Sequence, residues 1–207
     1  MIKNIIFDIG NVILNFNVDE VLPIFTNDEE EQKFIFENII KSPEWLGYSL
    51  IDAGYLTREA AIEMQKDRTN HINDDLISNF WNNYNNYLKI DDRVINIIKK
   101  LKNNNYKIYL LSNINAYTHE HIKTSGLFEL VDGDVLSYIE HQIKPYDSIY
   151  ITLINRYSLN SDESLFIDDR YENVKTANKF KIQGKSVKPD DYDSIIKLLD
   201  EYKINYV

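Results

Sequence analysis

The hydrophobic pattern after residue 91 alternates between short apolar runs, which are typical of buried strands, and longer segments with amphipathic helical spacing. The segment DRVINIIKKLKNNN predicts a helix, and KIYLLSN at residues 107–113 predicts the buried strand that follows it. DVLS, SLFIDD and KIQGKSV have strand patterns, and the segments between and after them have helical patterns. With the apolar run at residues 5–7 as the first strand, this alternation predicts an α/β protein whose parallel sheet has right-handed crossovers.

The segment from residue 17 to about residue 88 has a different pattern. EEEQKFIFENII and DDLISNFWNNYNNYL place apolar residues at helical spacing, and LTREAAIEMQKD starts at Thr57, a suitable N-cap. This segment contains no convincing strand, so we interpret it as an insertion after the first strand. The sequence therefore predicts a helical cap domain at 17–88 and an α/β core domain made of 1–16 and 89–207.

Composition and charge narrow the possible functions. The 207 residues, 43% of them hydrophobic, suffice for one domain with an insertion or for two small domains. A formal net charge of -10 without a dense block of Lys and Arg argues against nucleic acid and against acidic membrane surfaces as partners. The sequence has no cysteine, no stretch resembling a signal peptide and no uncharged stretch of membrane-spanning length, so we expect a soluble cytoplasmic protein. Neither GxGxxG nor GxxxxGK[ST] occurs, which weakens a nucleotide-binding interpretation.

Polar residues stand where the predicted strands end. In an open parallel sheet this is the edge at which ligands bind. The candidate residues are Asp8, Gly10 and Asn11 after the first strand, Ser112 and Asn113 after the second, Lys144 before a helix, and Asp168 and Asp169 after a later strand. Because the carboxyl ends of parallel strands meet at one edge, we expect these residues to converge on one crevice.

Carboxylates that share a crevice cannot all stay ionised unless a cation neutralises them. Oxygen ligands suit a hard divalent ion, so the sequence predicts Mg²⁺ as cofactor, and Mg²⁺ held by few carboxylates usually shares a phosphate oxygen. We therefore predict a small phosphorylated metabolite as substrate, bound by Asn11, Ser112, Asn113 and Lys144. Asp8 is placed to attack phosphorus and form an aspartyl-phosphate, which makes Asp8 and Lys144 the predicted catalytic residues.

These motifs, in this order, resemble the haloacid dehalogenase (HAD) superfamily, and in particular its phosphatases with a helical cap. FDIGNV resembles the nucleophile motif, LLSN the phosphate-binding serine motif, IKP the lysine motif and FIDDRYENVKTA the acidic motif. The resemblance covers nearly the whole chain and implies a doubly wound, Rossmann-like core with an α-helical cap inserted after the first strand. It also implies that Asp8, the backbone carbonyl of Gly10 and Asp168 bind Mg²⁺, with Asp169 nearby. DIGNV together with DAGYLT looks most similar to bacterial sugar-phosphate phosphatases such as the α-glucose-1-phosphate phosphatase group.

The sequence departs from the family at Gly10, where the usual residue is a second aspartate. That aspartate normally protonates the leaving group and then activates water. Its absence predicts a preference for substrates that leave easily, such as hexose 1-phosphates over hexose 6-phosphates, with any residual proton supplied by water or by a residue of the cap.

Three other functions compete with the phosphatase interpretation. A haloacid dehalogenase needs no metal, so the pair Asp168 and Asp169 argues against it. A phosphomutase needs the acid that Gly10 lacks. A non-catalytic protein that binds phosphate or a partner is also motivated by Gly10. Within the cap, we expect Trp45 and Trp81 to pack between helices, and Tyr48 and Tyr55 are candidates for substrate contact.

Overall fold

A five-stranded parallel sheet forms the centre of the protein in the computed structural model, which describes residues 1–41 and 48–207. The strands in chain order are β1 (Asn4–Phe7), β2 (Leu14–Asn15), β3 (Lys89–Ile90), β4 (Lys107–Ser112), β5 (Gly133–Leu136), β6 (Ser164–Asp168) and β7 (Gln183–Ser186). The sheet has the order β5-β4-β1-β6-β7, and the short strands β2 and β3 pair separately in an antiparallel ladder. This topology confirms the predicted α/β fold with a parallel sheet. The antiparallel pair, which closes the two ends of the inserted segment, was not predicted from the sequence.

The described residues between β2 and β3 form helices and turns, as the sequence predicts. Its helices are α1 (Val18–Phe25), α2 (Glu29–Ile35), α3 (Tyr48–Asp52), α4 (Arg58–Arg68) and α5 (Asp74–Asn83), with a π-helical turn at Phe36–Ile40 and a 3₁₀ turn at Tyr84–Tyr87. Thr57 caps α4, because its hydroxyl accepts the N–H of Ala60 at 3.2 Å.

The inserted helices share a hydrophobic cluster of their own. Phe80 and Trp81 of α5 are its largest fully buried members, and Ile35, Ile62 and Ile77 pack with them. This confirms the packing role predicted for Trp81, whereas Trp45 and the side chain of Tyr48 lie outside the described residues. A separate cluster suits an independent folding unit, but the boundaries at residues 17–88 stay a prediction.

Helices cover both faces of the sheet. They are α6 (Asp92–Asn103), α7 (Ala116–Ile122), α8 (Leu127–Leu130), α9 (Ser137–Glu140), α10 (Asp147–Tyr157), α11 (Tyr171–Lys179) and α12 (Tyr192–Glu201). Successive side chains of β1 point to opposite faces, so Ile5 and Phe7 enter one hydrophobic cluster and Ile6 enters the other. The sheet is therefore doubly wound, and its central strand is buried on both sides.

The register of the sheet aligns the strand ends that carry the candidate residues. Phe7, the last residue of β1, pairs with Leu110 of β4 on one side and with Ile167 of β6 on the other. The backbone N–H of Asp8 donates to the carbonyl of Ile167 at 2.8 Å, so the chain stays fixed one residue beyond the strand. Among the described helices, none is long and apolar enough to cross a membrane. The cytoplasmic location stays a prediction.

Candidate active site

Asp8 directly follows β1, and its carboxylate is held by three donors. Its Oδ1 accepts the N–H of Ile9 at 2.7 Å, the hydroxyl of Ser112 at 2.7 Å and the ammonium of Lys144 at 2.9 Å. All three donors bond the same oxygen, and Oδ2 accepts none of them. Burial raises the pKa of Asp8 to about 7; the charge of Lys144 opposes this shift and that of Asp168 adds to it.

Lys144 lies between two carboxylates at the centre of the site. Its side chain is 1% exposed, and its Nζ is 2.9 Å from Oδ1 of Asp8 and 2.7 Å from Oδ2 of Asp168. Burial alone would lower the pKa of Lys144, but the two carboxylates outweigh burial and raise this pKa above its ordinary value. The ammonium therefore stays charged and joins the ends of β1 and β6.

The side chain of Asn113 holds the loop that carries Lys144. Its amide group donates to the carbonyl of Lys144 at 2.9 Å, and its side-chain oxygen accepts the N–H of Lys144 at 2.8 Å. Both polar ends of Asn113 are thus engaged with one backbone unit. The structure shows a positioning contact here, and the substrate contact expected of Asn113 stays a prediction.

Asp168 ends β6 and is fully buried. Its carboxylate accepts the side-chain amide of Asn173 at 2.9 and 3.0 Å and the backbone N–H of Arg170 at 2.8 Å. The neighbouring Asp169 is only partly buried, and its Oδ2 accepts the side-chain amide of Asn11 at 3.1 Å. Burial raises the pKa of Asp169, although the hydrogen bond from Asn11 opposes this shift.

The carboxylates of Asp8, Asp168 and Asp169 form a group that could hold a metal ion. One oxygen of each lies within 4.8 Å of the others. Lys144 supplies one positive charge against three carboxylates, which leaves an excess of negative charge that a divalent cation would neutralise. The donor set consists of hard oxygen ligands, so the residues present fit Mg²⁺.

Two adjoining cavities open over the strand ends. The first has a volume of about 340 Å³, and its lining includes Asp8, Gly10, Asn11, Asn113, Lys144 and Asp169. The second has a volume of about 280 Å³ and shares Gly10, Asn11 and Asn113 with the first, while Ser112 lines only the second. Asp168 lies behind Lys144. The structure therefore brings all the residues predicted from the strand ends to one site, although their roles are not tested by their proximity.

The inserted helices contribute a carboxylate that the sequence analysis missed. Asp52, the last residue of α3, lines both cavities and accepts the side-chain amide of Asn115 at 3.0 Å. The same amide donates to the hydroxyl of Tyr84 at 3.1 Å. DAGYLT contains Asp52 and did stand out in the sequence, but only the packing of the helical segment against the strand ends places its carboxylate at the site.

A doubly wound sheet with an acidic group and a buried lysine at its strand ends defines the class of this protein. Residues 2–181 match the family described as haloacid dehalogenase-like hydrolase, which is most of the 207-residue chain. The chain therefore belongs to this family of hydrolases.

Known proteins of several activities resemble this chain. A sesquiterpene phosphatase, astK, from Aspergillus oryzae is 26% identical over 98 residues, which make up 47% of this chain and 50% of that protein. The chain thus spans about half the length of this curated relative. A HAD-family enzyme from Bacteroides thetaiotaomicron, solved with magnesium and inorganic phosphate, is 23% identical and has a TM-score of 0.72 over 94% of this chain and 99% of its own.

The structure of L-2-haloacid dehalogenase from Xanthobacter autotrophicus is also similar, with a TM-score of 0.67 and 15% identity over 99% of this chain and 85% of that one. At these identities the solved structures show a common fold alone. Since enzymes of different activities share the fold, the reaction has to be inferred from the residues of the site.

Proposed function

We propose that this hydrolase is a Mg²⁺-dependent phosphatase that acts on small phosphorylated metabolites through an aspartyl-phosphate. The observation that carries the proposal is the group formed by Asp8, Asp168 and Asp169, whose oxygens lie within 4.8 Å of one another around Lys144. A dehalogenase needs a nucleophilic aspartate but no metal, so three converging carboxylates favour phosphoryl transfer. The names of the Aspergillus phosphatase and of the Bacteroides complex with magnesium and phosphate are consistent with this choice.

In the proposed first step, Oδ2 of Asp8 attacks phosphorus. An O–P bond forms, the bond to the leaving oxygen breaks, and that oxygen departs with the electron pair and needs a proton. Ser112 and Lys144 keep Oδ1 engaged at 2.7 and 2.9 Å, so the attacking oxygen is the one that they do not bond. Preorganised donors of this kind hold the nucleophile in one orientation before substrate arrives.

In the second step, water attacks the same phosphorus, the bond to Asp8 breaks, and inorganic phosphate is released. Lys144 places positive charge beside the phosphoryl group in both steps. When bound by Asp8, Asp168, Asp169 and the carbonyl of Gly10, Mg²⁺ would supply further charge neutralisation to the phosphoryl oxygens.

We propose a sugar phosphate as the substrate class. The cavity of about 340 Å³ has a polar lining, which includes Ser49, Asn113 and the candidate catalytic residues, and it is large enough for a small ligand. Polar groups around a cavity of this size can bond sugar hydroxyls. The similarity of DIGNV and DAGYLT to sugar-phosphate phosphatases supports the same choice.

A second substrate class is favoured by the adjoining cavity. Leu14, Phe16, Ile40, Leu88 and Ile114 line this space of about 280 Å³ and would accept an apolar group. A phosphate monoester of an apolar alcohol would place its phosphate at Asp8 and its chain against these residues. The Aspergillus relative, named a sesquiterpene phosphatase, points the same way.

We also propose that residues 17–88 act as a cap domain over the core formed by 1–16 and 89–207. Contacts from Asp52 to Asn115 and from Tyr55 to the carbonyl of His141, at 3.0 and 3.1 Å, join the helical segment to the chain beyond the strand ends. Such a cap can exclude water from the site when closed. If the division is right, native-state hydrogen exchange should show α4 and α5 opening as a unit at a lower free energy than β1, β4 and β6.

The direct test is phosphate release from 4-nitrophenyl phosphate with Mg²⁺, with excess chelator, and after Mg²⁺ is added back. We expect activity only with Mg²⁺ and full recovery on re-addition. The same preparations are offered glucose 1-phosphate, glucose 6-phosphate, farnesyl phosphate and 2-chloropropionate, which separates the two substrate classes from a dehalogenase. Halide release in chelator without phosphate release, or no turnover of any ester, would refute the phosphatase.

A further inference from the structure

The proposed reaction leaves one proton without a source. The departing oxygen of an alkyl phosphate is strongly basic, yet Gly10 offers no side chain to protonate it. Crowding does not explain why position 10 lacks a side chain, because a Cβ built on Gly10 would meet no heavy atom of the described residues within 4 Å. The space beside Gly10 is open to the cavity, so an acid from another element can act there.

Asp52 lines this cavity from a different element. It ends α3 of the inserted segment and lines the same space of about 340 Å³ as Asp8 and Lys144. Asp8 projects from the strand ends and Asp52 from the helices packed over them. The leaving oxygen of a phosphate ester departs opposite the attacking one, so an ester attacked by Asp8 would release its leaving group into the cavity that Asp52 also lines.

Two residues of the core hold Asp52 in place. The side-chain amide of Asn115 donates to Oδ1 at 3.0 Å, and the hydroxyl of Ser137 donates to the backbone carbonyl of Asp52 at 2.5 Å. Asn115 is itself fixed, since its side-chain oxygen accepts the N–H of Thr118 at 2.9 Å. With Oδ1 occupied by an amide donor, a proton on this carboxyl belongs on Oδ2, which Asn115 does not bond.

We infer that Asp52 is the general acid and base of this enzyme and takes the role that Gly10 leaves vacant. This inference rests on the proposed phosphatase function. Asp52 gives the proton of its Oδ2 to the leaving oxygen as the Asp8–phosphorus bond forms. It then accepts a proton from the water that attacks the aspartyl-phosphate, which restores the neutral acid.

The surroundings of Asp52 suit this cycle. Burial raises the pKa of Asp52 to about 7, while the hydrogen bond from Asn115 and the charge of Lys144 oppose this shift. A group with a pKa near neutrality can both donate and accept a proton at the working pH. Among the described residues, the other titratable ones that line the two cavities are Asp8, Lys144, Asp169 and Arg170 in the first and Tyr84 in the second. Burial raises the pKa of Tyr84 to about 12, so this phenol does not compete for the role.

The test compares esters whose leaving groups differ in basicity. Wild type, Asp52→Asn and Asp67→Asn are assayed with 4-nitrophenyl phosphate, phenyl phosphate and glucose 6-phosphate in Mg²⁺. Asp67 belongs to α4 of the same segment and is exposed, so Asp67→Asn is the matched control. We expect Asp52→Asn to lower kcat/KM by about 10²–10⁴-fold for glucose 6-phosphate but only a few-fold for 4-nitrophenyl phosphate, since kcat/KM reports the step in which the leaving group departs and general acid catalysis matters most for basic leaving groups.

A second variant distinguishes catalysis from folding. In the Asp52→Asn background, Gly10→Asp should recover part of the lost kcat/KM for glucose 6-phosphate, because the new side chain enters open space. An equal loss of kcat/KM for all three esters, or a rise in KM with kcat unchanged, would overturn the inference while leaving the phosphatase intact. If wild type released phosphate from none of the esters, the proposed function and this inference would both fall.

Discussion

The strand ends and the inserted helices use charge differently. At the strand ends, Lys144 bonds Asp8 and Asp168 at 2.9 and 2.7 Å, so these two buried carboxylates share one ammonium. In the helical segment most buried positions are apolar, and Asp52 receives its side-chain hydrogen bond from the neutral amide of Asn115. The strand ends therefore bond their buried carboxylates to a cation, and the helical segment holds the carboxyl group of Asp52 with a neutral donor.

This difference distinguishes the carboxyl groups of Asp8 and Asp52. Burial raises the pKa of Asp8 and of Asp52 to about 7, but only Asp8 belongs to the group of carboxylates that could hold a metal ion. A bound cation would favour the ionised form of Asp8 most strongly, because Asp8 would be one of its ligands and Asp52 would not. When two carboxyl groups have different environments, their pKa values differ, and one site can then contain both an ionised nucleophile and a protonated acid.

Replacing the proposed nucleophile at the strand ends should have the largest effect on activity. Asp8→Asn keeps the shape of the side chain but cannot attack phosphorus, so we expect kcat to fall on the order of 10⁴-fold or more, as in other hydrolases that lose a nucleophile. Phosphate release in Mg²⁺ measures this, with Asp147→Asn at an exposed position as control. Substantial Mg²⁺-dependent activity in pure Asp8→Asn protein would rule out the aspartyl-phosphate mechanism.

The next effect concerns stability at the same place. Lys144→Met removes the cation from between two buried carboxylates and should lower the free energy of unfolding by about 3–5 kcal/mol at neutral pH. Lys179→Met is the control, because its side chain is 57% exposed and 3.4 Å from Asp147, and such a pair contributes about 0–1 kcal/mol. Urea unfolding without metal measures both. Similar losses of unfolding free energy in the two variants would show that the buried ion pairs contribute no more to stability than the exposed one.

Mg²⁺ should stabilise the strand-end region selectively. At a concentration about 100 times its dissociation constant, a cation that binds only the folded state adds about 2.7 kcal/mol to the free energy of unfolding. We expect this gain in wild type and a much smaller one in Asp168→Asn, measured by urea unfolding with and without Mg²⁺. Asp67→Asn should gain as much unfolding free energy from Mg²⁺ as wild type does.

Ca²⁺ should support activity poorly, because its larger and looser coordination sphere misplaces the phosphoryl group.

The last comparison concerns the pH dependence of stability on the helical side. The ordinary pKa of an aspartate is 3.8 and the pKa of Asp52 in the folded protein is about 7, so between these values the folded protein binds this proton more tightly than the unfolded chain does. The contribution of Asp52 to stability is therefore complete below pH 3.8 and is lost as pH rises toward about 7. Asp52→Asn has no such proton, so its free energy of unfolding relative to wild type should rise across this range. Urea unfolding at several pH values measures it, and a difference as flat as that of Asp67→Asn would contradict the raised pKa.

Much of the core could be predicted from the sequence because its signals are local. A buried strand appears in the sequence as a short apolar run in any tertiary context. In β1, β4 and β6 the polar residues of the site stand at the end of such a run or directly after it. Parallel pairing then forces these ends to one edge of the sheet. The helical nature of residues 17–88 was also evident, since amphipathic spacing is a property of the segment itself.

The contacts between segments could not be predicted in this way. The hydrogen bonds that turn Asn113 toward the backbone of Lys144, and those that bring Asn115 to Asp52, join residues 31 and 63 positions apart. Which side chains meet across such distances depends on how the helices pack, and no periodicity encodes it. The sequence by itself determined the α/β fold and the strand-end chemistry, because each rests on short-range patterns and on the geometry of parallel strands. Only the tertiary structure placed Asp52 at the cavity, because burial and hydrogen bonding at that position arise from contacts between the inserted helices and the core.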